Sequence, residues 1–326
     1  MSIAPPSQSL SEQEMSAPKR VAFIGLGAMG WRIAGNLASA AKAGEIESPV
    51  VVWNRTTTRS EQHAAEFETR CARALSDVVD ADVIITCLPT SVEVAAIAEM
   101  LAPTLKSGSL WIDCTSGDPN TTKEVARTLK SVGVTMIDCP VSGGPNGAAS
   151  GELTAMVGGD HNHDARTIIS LFAKKRIVDC GPIGAGHAVK AMNNCLNAAH
   201  LIVAGEALLA LAKLGVQTDV ALDAISASSG RSLQTEVRIP NEVLTQKFDY
   251  GFKLGLMLKD VGIAVDCLKT HQETDDDTRT FMLPVVQNIM GNAVNEQGYD
   301  ADYTRVLRTL ELKAGIELRG TSNNES

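Results

Sequence analysis

GHAVKAMNNCLNAAHLIVAGEALLALAKLG, Gly186 to Gly215, is the stretch whose reading decides the architecture. It holds no proline, is rich in alanine and leucine, and ends at a glycine, the composition of one long helix with a C-terminal stop. At 1.5 Å per residue such a helix runs about 45 Å, longer than most helices of a globular domain. Its first turns are unusual for a buried helix. Lys190 and Asn194 stand one turn apart with Asn193 and Asn197 alongside, so an ammonium and several amides share one side. The plain reading of a lysine on a helix is a solvated stripe, but alanine, valine, methionine and leucine surround this one. Upstream, strand-like and helical patterns alternate; downstream, every pattern is helical. The stretch therefore joins two differently built halves.

Moving outward toward the N-terminus, Val21–Ile24 is a short apolar run followed at once by Gly25-Leu26-Gly27-Ala28-Met29-Gly30, after which Ile33 and Leu37 recur on one helical side. A lone GxGxxG is weak, but strand, glycines and helix in that order form a dinucleotide-binding signature. Gly25 permits the tight turn, Gly27 admits a pyrophosphate, and Gly30 lets helix and strand approach, with the helix N-terminus facing the phosphates. A second strand spans Pro49–Trp53, and its end reads Asn54-Arg55-Thr56 where an NAD enzyme carries Asp or Glu. No carboxylate there repels a 2′-phosphate and Arg55 can pair with one, so NADP is favoured and NAD stays possible. Helical segments near 58–69, 91–102 and 119–132 separate further strands at Asp82–Cys87, Ser109–Cys114 and Thr135–Asp138, the spacing of βαβ units with a parallel sheet. Ligands of such sheets lie beyond the C-terminal strand ends, where Leu88, Pro89 and Thr115 stand ready to line the cofactor. The last strands of this half are read at 153–157 and 176–180.

Length and composition agree with two domains. The 326 residues are 44% hydrophobic and 21% charged with a formal net charge of −9. The absence of a dense Lys/Arg cluster removes the footprint of a nucleic-acid binder. No uninterrupted apolar run approaches the ~20 residues of a membrane span, and Asp275-Asp276-Asp277 reads as a solvated helix start or loop. The seven cysteines include no CxxC pair; four of them, Cys87, Cys114, Cys139 and Cys180, end strand-like runs, which suits reduced core thiols. No metal site is expected, His161 and His163 reading as exposed loop residues without partner spacing. Residues 1–18 are Ser/Pro/Glu/Gln-rich and are expected as a disordered tail, lacking presequence or signal patterns; the expected location is cytoplasmic, with a mitochondrial one left open.

After Asp138 comes Cys139-Pro140-Val141-Ser142-Gly143-Gly144-Pro145-Asn146-Gly147. The plain reading of these glycines is a flexible loop; the alternative is a nest in which Ser142, Gly143 and Gly144 present a hydroxyl and backbone N–H groups to a carboxylate.

Three segments taken together, GLGAMG with its helix, DCPVSGGPNGAASGELTAMVGG and GAGHAVKAMNN, resemble the β-hydroxyacid dehydrogenase family, the 3-hydroxyisobutyrate dehydrogenase-like group; MLKDVGIA at 257–264 adds a fourth. The resemblance covers roughly residues 20 to 315. It implies an N-terminal α/β Rossmann-type domain, assigned here to 19–183, and an all-α C-terminal domain at 184–318 joined to it by the long interdomain helix, with a tail at 319–326. It also implies reversible NAD(P)-dependent oxidation of a small β-hydroxy acid to its semialdehyde. By the same resemblance Lys190 is the catalytic residue, Asn194 orients substrate and lysine, and Ser142, Gly143 and Gly144 hold the substrate carboxylate. Lys259 with Asp260 closes the cofactor cleft from the helical side. Trp31 occupies a place where the family tolerates many residues and Ile33 replaces a usual methionine, both read as remote from the chemistry.

The segments 229–232 and 248–252 are expected to shape the pocket wall, with Arg231 as a candidate for a second anion or a plain surface residue. The substrate stays open among 3-hydroxyisobutyrate, glycerate, L-threonate, 3-hydroxypropionate and a sulfonated analogue. A lysine receives the hydroxyl proton only if its pKa is drawn well below that of the free side chain, which burial does. Two rival classes are an imine reductase, against which Lys190 and the Ser-Gly-Gly nest speak, and a non-catalytic dinucleotide-binding scaffold, which brings a reader domain or basic linker not seen here. Apolar faces on the helices near 218–228, 234–246, 253–272, 279–297 and 301–316 point to a homodimer or homotetramer through the helical domain.

Overall fold

The computed structural model describes residues 19–269 and 281–320. The segment expected as a tail at 1–18, the last residues from 321 and the acidic run at 275–277 lie outside the described residues.

The first half alternates strand and helix: β1 (Val21–Ile24), α1 (Gly30–Lys42), β2 (Val51–Trp53), α2 (Thr57–Phe67), β3 (Arg70–Cys71), β4 (Val83–Thr86), α3 (Ser91–Leu101), β5 (Leu110–Asp113), α4 (Pro119–Ser131) and β6 (Thr135–Asp138). It closes with β7 (Val141–Ser142), α5 (Gly144–Ser150), β8 (Thr154–Gly158), α6 (His163–Ser170) and β9 (Arg176–Gly181). The strands form one nine-stranded sheet ordered β3-β2-β1-β4-β5-β6-β8-β7, with β9 on β8. From β3 to β6 all pairings are parallel, Ala22 standing opposite both Val51 and Ile84. The short β7 and the β6–β8 pairing run antiparallel.

Period-two alternation decides which face each strand residue serves. Val21 and Phe23 join one buried cluster with Ile33 and Leu37 of α1, while Ala22 and Ile24 join the opposite one with Val94, Ile97 and Trp111. Helices thus cover both faces, the arrangement a run of wholly buried strands requires. All seven cysteines are free, and burial pushes the Cys87 thiol up to about 12 and the Cys195 thiol up to about 11.

The second half is α7 (Ala185–Lys213), α8 (Thr218–Ser226), a wide π-type helix Gln234–Val243, α9 (Leu254–Lys269), α10 (Met282–Gln297) and α11 (Val306–Ala314). The expected α/β-then-helical architecture is therefore found, with α7 as the 29-residue helix that links the halves. Among the described residues α7 is also long and apolar enough to cross a membrane by length and composition. Here Leu201, Ile202, Leu208 and Leu209 of α7 form a core with Ile239, Val243, Met257, Val261, Met290 and Leu307. Where the sequence suggested an ordinary helix over 234–246, Pro240 sits inside the segment without an N–H to give, and the turn widens.

No side chain of α7 itself caps its first turn, which begins at Gly184 with φ of 90°. The cap comes from the end of β6. Asp138, fully buried, accepts the Gly184 N–H on Oδ1 at 2.6 Å and the His187 N–H on Oδ2 at 2.7 Å. A carboxylate at a helix N-terminus satisfies orphan donors and meets the positive end of the dipole. Gly158 and Gly186 leave room for it: a Cβ on either would lie 2.5 or 2.8 Å from a carboxylate oxygen. Asp138→Ala should strip both N–H groups of their acceptor and lower stability by about 3 kcal/mol or more in urea unfolding. Wild-type stability in that variant would mean that packing alone holds α7.

Candidate active site

The cofactor end is built by the loop between β1 and α1. Gly25 has φ of 103°, and a Cβ there would stand 2.4 Å from the Cys87 carbonyl; one on Gly30 would stand 2.0 Å from the Gly25 carbonyl. A Cβ on Gly27 would meet nothing within 4 Å, so this glycine alone of the three opens onto free space at the start of α1. That is the room a pyrophosphate needs, and the residues present fit a dinucleotide. Around it run Leu26, Ala28 and Met29, whose carbonyl accepts the Ile33 N–H. On the far side the Leu88 N–H donates to Thr115 Oγ1 at 3.1 Å, tying together the loops after β4 and β5, with Pro89 exposed beside them.

Asn54 proves to be a brace for this loop: its Oδ1 accepts the Leu26 N–H at 3.0 Å and its Nδ2 donates to the Thr56 carbonyl. Its side chain is thereby committed to backbone, which the sequence reading as a ribose reader did not foresee. Arg55 and Thr56 are exposed at the same strand end. Arg59, which the sequence reading passed over, comes back one turn later. Its Nε donates to the Leu26 carbonyl at 3.1 Å and its guanidinium lies 4.2 Å over the Trp31 ring. Trp31, read as remote from the chemistry, is thus half of a cationic platform beside the glycine loop. The spacing Arg55-x-x-x-Arg59 at a helix start was the available signal.

At the other end of the cleft stands Lys190, only 8% exposed. Burial draws its pKa from 10.5 down to about 8; Asp260 pulls back upward and Lys259 pushes further down. Asp260, 1% exposed, accepts Asn194 Nδ2 at 2.6 Å on one oxygen, and Lys259 Nζ lies 3.0 Å from the other. Asn194 Oδ1 in turn accepts from Asn193 Nδ2 at 3.1 Å. Lys259 also crosses to the first domain, donating to the Pro89 carbonyl at 3.3 Å and to the Ser116 carbonyl. The structure therefore brings Lys190, Asn194 and Lys259 together with Asp260, and joins that group to the loops after β4 and β5.

The third wall is the loop after β6. Gly143 and Gly144 have φ of 142° and 66°, conformations that favour glycine, and Gly144 opens α5, so the region is a helix start where the sequence suggested only a loop or nest. A Cβ on Gly144 would fall 2.2 Å from the Tyr250 hydroxyl. Tyr250, from the helical half, therefore stands directly over the Ser142–Gly144 turn. Arg231 is exposed, and its backbone N–H bonds to the Ser228 carbonyl; no side-chain ion pair or hydrogen bond ties it to the pocket among the described residues. His161 is not the exposed, free side chain expected: its Nδ1 meets the Gly159 carbonyl at 3.0 Å and its Nε2 meets Asp179 at 3.0 Å. A further buried residue, His187, bonds Thr122 Oγ1 through Nδ1 at 2.7 Å, and its Nε2 lies 3.8 Å from Asp113.

Comparison with known proteins matches both halves. Residues 20–181 match the family described as the NAD binding domain of 6-phosphogluconate dehydrogenase, and residues 184–310 match the NAD-binding domain of NADP-dependent 3-hydroxyisobutyrate dehydrogenase. The probable mitochondrial 3-hydroxyisobutyrate dehydrogenase of Dictyostelium discoideum is 34% identical over 270 residues, 79% of this chain and 82% of that one. The chain belongs to the β-hydroxyacid dehydrogenase family. It is accordingly an oxidoreductase acting on CH–OH with a nicotinamide dinucleotide. Within the family, the 2-(hydroxymethyl)glutarate dehydrogenase of Eubacterium barkeri is 28% identical, over 92% of this chain and 98% of that one. The Mycobacterium tuberculosis 3-hydroxyisobutyrate dehydrogenase, solved with L-serine, superposes with a TM-score of 0.80 at 29% identity, covering 90% of this chain and 99% of that chain.

The glycine geometry separates folding from binding. Gly27→Val should leave stability within about 0.5 kcal/mol yet weaken NADPH about tenfold or more. Gly30→Ala should instead lower the melting temperature, because the Gly25 carbonyl must move. Melting curves beside NADPH fluorescence titrations check both; a Gly27→Val protein that binds NADPH normally would place the pyrophosphate elsewhere.

Proposed function

We propose that the chain interconverts a small β-hydroxy acid and its semialdehyde with NADP(H), Lys190 serving as general acid and base. The observation that carries this reading is a lysine buried in the cleft with its pKa drawn to about 8, next to an amide held by Asp260. A nicotinamide dinucleotide held at the Gly25–Gly30 loop would supply the acceptor, and in reverse the donor, of the hydride on the carbinol carbon. Lys190 in its neutral form takes the hydroxyl proton as that hydride leaves; in reduction its ammonium gives the proton back to the carbonyl oxygen. Asn194, fixed by Asp260, supplies a hydrogen bond to the same oxygen without a competing charge. Ser142 with the Gly143 and Gly144 N–H groups receives the carboxylate, and Tyr250 closes that side against water. The relatives named for 3-hydroxyisobutyrate and 2-(hydroxymethyl)glutarate support a substrate with a CH₂OH group beta to a carboxylate.

The preference for NADP rests on the strand end without a carboxylate and on two cations there. Arg55 is free to meet a 2′-phosphate, and Arg59 is held flat on Trp31 beside it. Val189, Leu196 and Val203, exposed at seven-residue intervals along α7, support assembly with a second copy through the helical half.

Oxidation needs the neutral amine, so kcat/KM for oxidation should rise with pH and level off above about 8. Reduction should show the opposite limb. Lys190→Ala should lower kcat by at least ~10²-fold, and Lys190→Arg should rescue little, because a guanidinium keeps its proton. Both variants should still bind NADPH in a fluorescence titration. Near-normal turnover by the alanine variant would end the assignment.

For the cofactor, Arg55→Ala and Arg59→Ala should each cut kcat/KM with NADP by roughly 10- to 100-fold, as expected for one charge-assisted contact, and change it far less with NAD. A wild-type enzyme that works better with NAD would overturn the preference.

A further inference from the structure

One cation near the pocket has no assigned work. Arg238 lies on the wide helix, one turn beyond Gln234, whose Nε2 donates to Asn197 Oδ1 of α7 at 2.8 Å. The Arg238 guanidinium rests 3.5 Å over the Tyr250 ring, and the hydroxyl of that ring is the group poised above Gly144. The cation is therefore one aromatic ring away from the turn that receives the first carboxylate.

No carboxylate answers its charge among the described residues. Arg238 makes no ion pair among the described residues, and its Nε is buried without a hydrogen-bond partner. The acids of this region are turned to other donors. Glu242 accepts the Asp249 N–H at 3.3 Å, while Asp302 accepts the Gly251 N–H at 2.7 Å, the Phe252 N–H at 3.3 Å and the Thr304 N–H at 3.0 Å. The neighbouring buried Tyr303 hydroxyl faces Arg238; burial raises its pKa, with Arg238 acting against the rise. The guanidinium thus meets a neutral hydroxyl and a ring face but no carboxylate, its Nε donor is left over, and it cannot shed its proton. Stacking on a ring face returns only part of what a guanidinium loses on leaving water. An anion returns the rest, in a geometry the guanidinium fork is shaped to grip.

We propose that Arg238 is the specificity residue for a second carboxylate on the substrate, so that the enzyme favours β-hydroxy dicarboxylic acids over those with a plain alkyl branch. This rests on the hydroxy-acid reading above, with the first carboxylate at Ser142–Gly144 and the second branch running along Tyr250 toward Arg238. It transfers to Arg238 the role considered for Arg231 from sequence.

The test compares 2-(hydroxymethyl)glutarate with 3-hydroxyisobutyrate, which share the reacting CH₂OH and first carboxylate and differ only in the branch. Wild-type kcat/KM should favour the dicarboxylate about tenfold or more, and Arg238→Gln should reduce that ratio roughly 10- to 100-fold, mainly through KM. Arg238→Lys should restore part of the ratio. A ratio unchanged in Arg238→Gln, with both substrates slowed alike, would make Arg238 a prop for Tyr250 and overturn the proposal. So would a wild-type enzyme that favours 3-hydroxyisobutyrate, a comparison that needs no variant to fold. Turnover of neither acid nor of 3-hydroxypropionate, with NADPH binding intact, would instead remove the hydroxy-acid reading and this proposal with it.

Discussion

The grip of the Asp138 carboxylate on the first turn of α7 is the constraint on which the site depends. It joins the end of a central parallel strand to the beginning of the helix that carries Lys190 and Asn194. Because the carboxylate takes two backbone N–H groups rather than a side chain, it fixes the rotation of the helix as well as its position. Lys190 lies three residues beyond the second of those donors, less than one turn away, so little flexibility separates the anchor from the ammonium. The adjoining glycines at 158 and 186 exist in this geometry to let the acid in. A helix of this composition would form in many contexts; the anchor makes it point into the cleft.

The electrostatics of the cleft are arranged in the opposite manner to an ordinary ion-pair network. Lys190 is desolvated and given only partial compensation, since Asp260 shares its charge with Lys259 and gives one oxygen to Asn194. A direct pair between Lys190 and Asp260 would have held the ammonium charged well above neutrality. Placing the amide of Asn194 on that acid lets Asp260 order the site while leaving the lysine able to exchange a proton. Lys259, by reaching Pro89 and Ser116, carries the same acid's influence to the strand ends of the other half.

Much of this was legible in the chain. Val21–Ile24 followed by Gly25, Gly27 and Gly30 specifies its own geometry, because each glycine answers a local steric demand that spacing alone reveals. The alternation of buried strands with amphipathic helices, and the proline-free run of α7, likewise depend on neighbours in sequence. What sequence could not give were contacts made across it. Nothing near Asn54 says that its amide will be spent on Leu26, 28 residues earlier. Trp31 and Arg59 become a stacked pair only once α1 and α2 lie side by side. Tyr250 reaches Gly144 from more than a hundred residues away, and Arg238, carried by the wide helix onto the Tyr250 ring, lies there while Arg231, ahead of that helix, stays exposed. The Asp138 anchor was hidden for the same reason, since an aspartate at a strand end looks like any turn residue.

The burial of Lys190 has a consequence for the stability of the folded chain. An unfolded lysine keeps its proton to about 10.5, whereas this one gives it up near 8. Below pH 8 both forms are charged and the fold carries the whole penalty, about 3 kcal/mol by linkage. Between pH 8 and 10.5 the unfolded chain binds more protons than the folded one, so the penalty fades as pH rises and is gone above that range. At neutral pH a methionine of similar length at position 190 would therefore make a more durable protein than the lysine does. A buried lysine is, thermodynamically, a standing load on its own scaffold, the kind of trade between durability and activity that a selected enzyme tolerates.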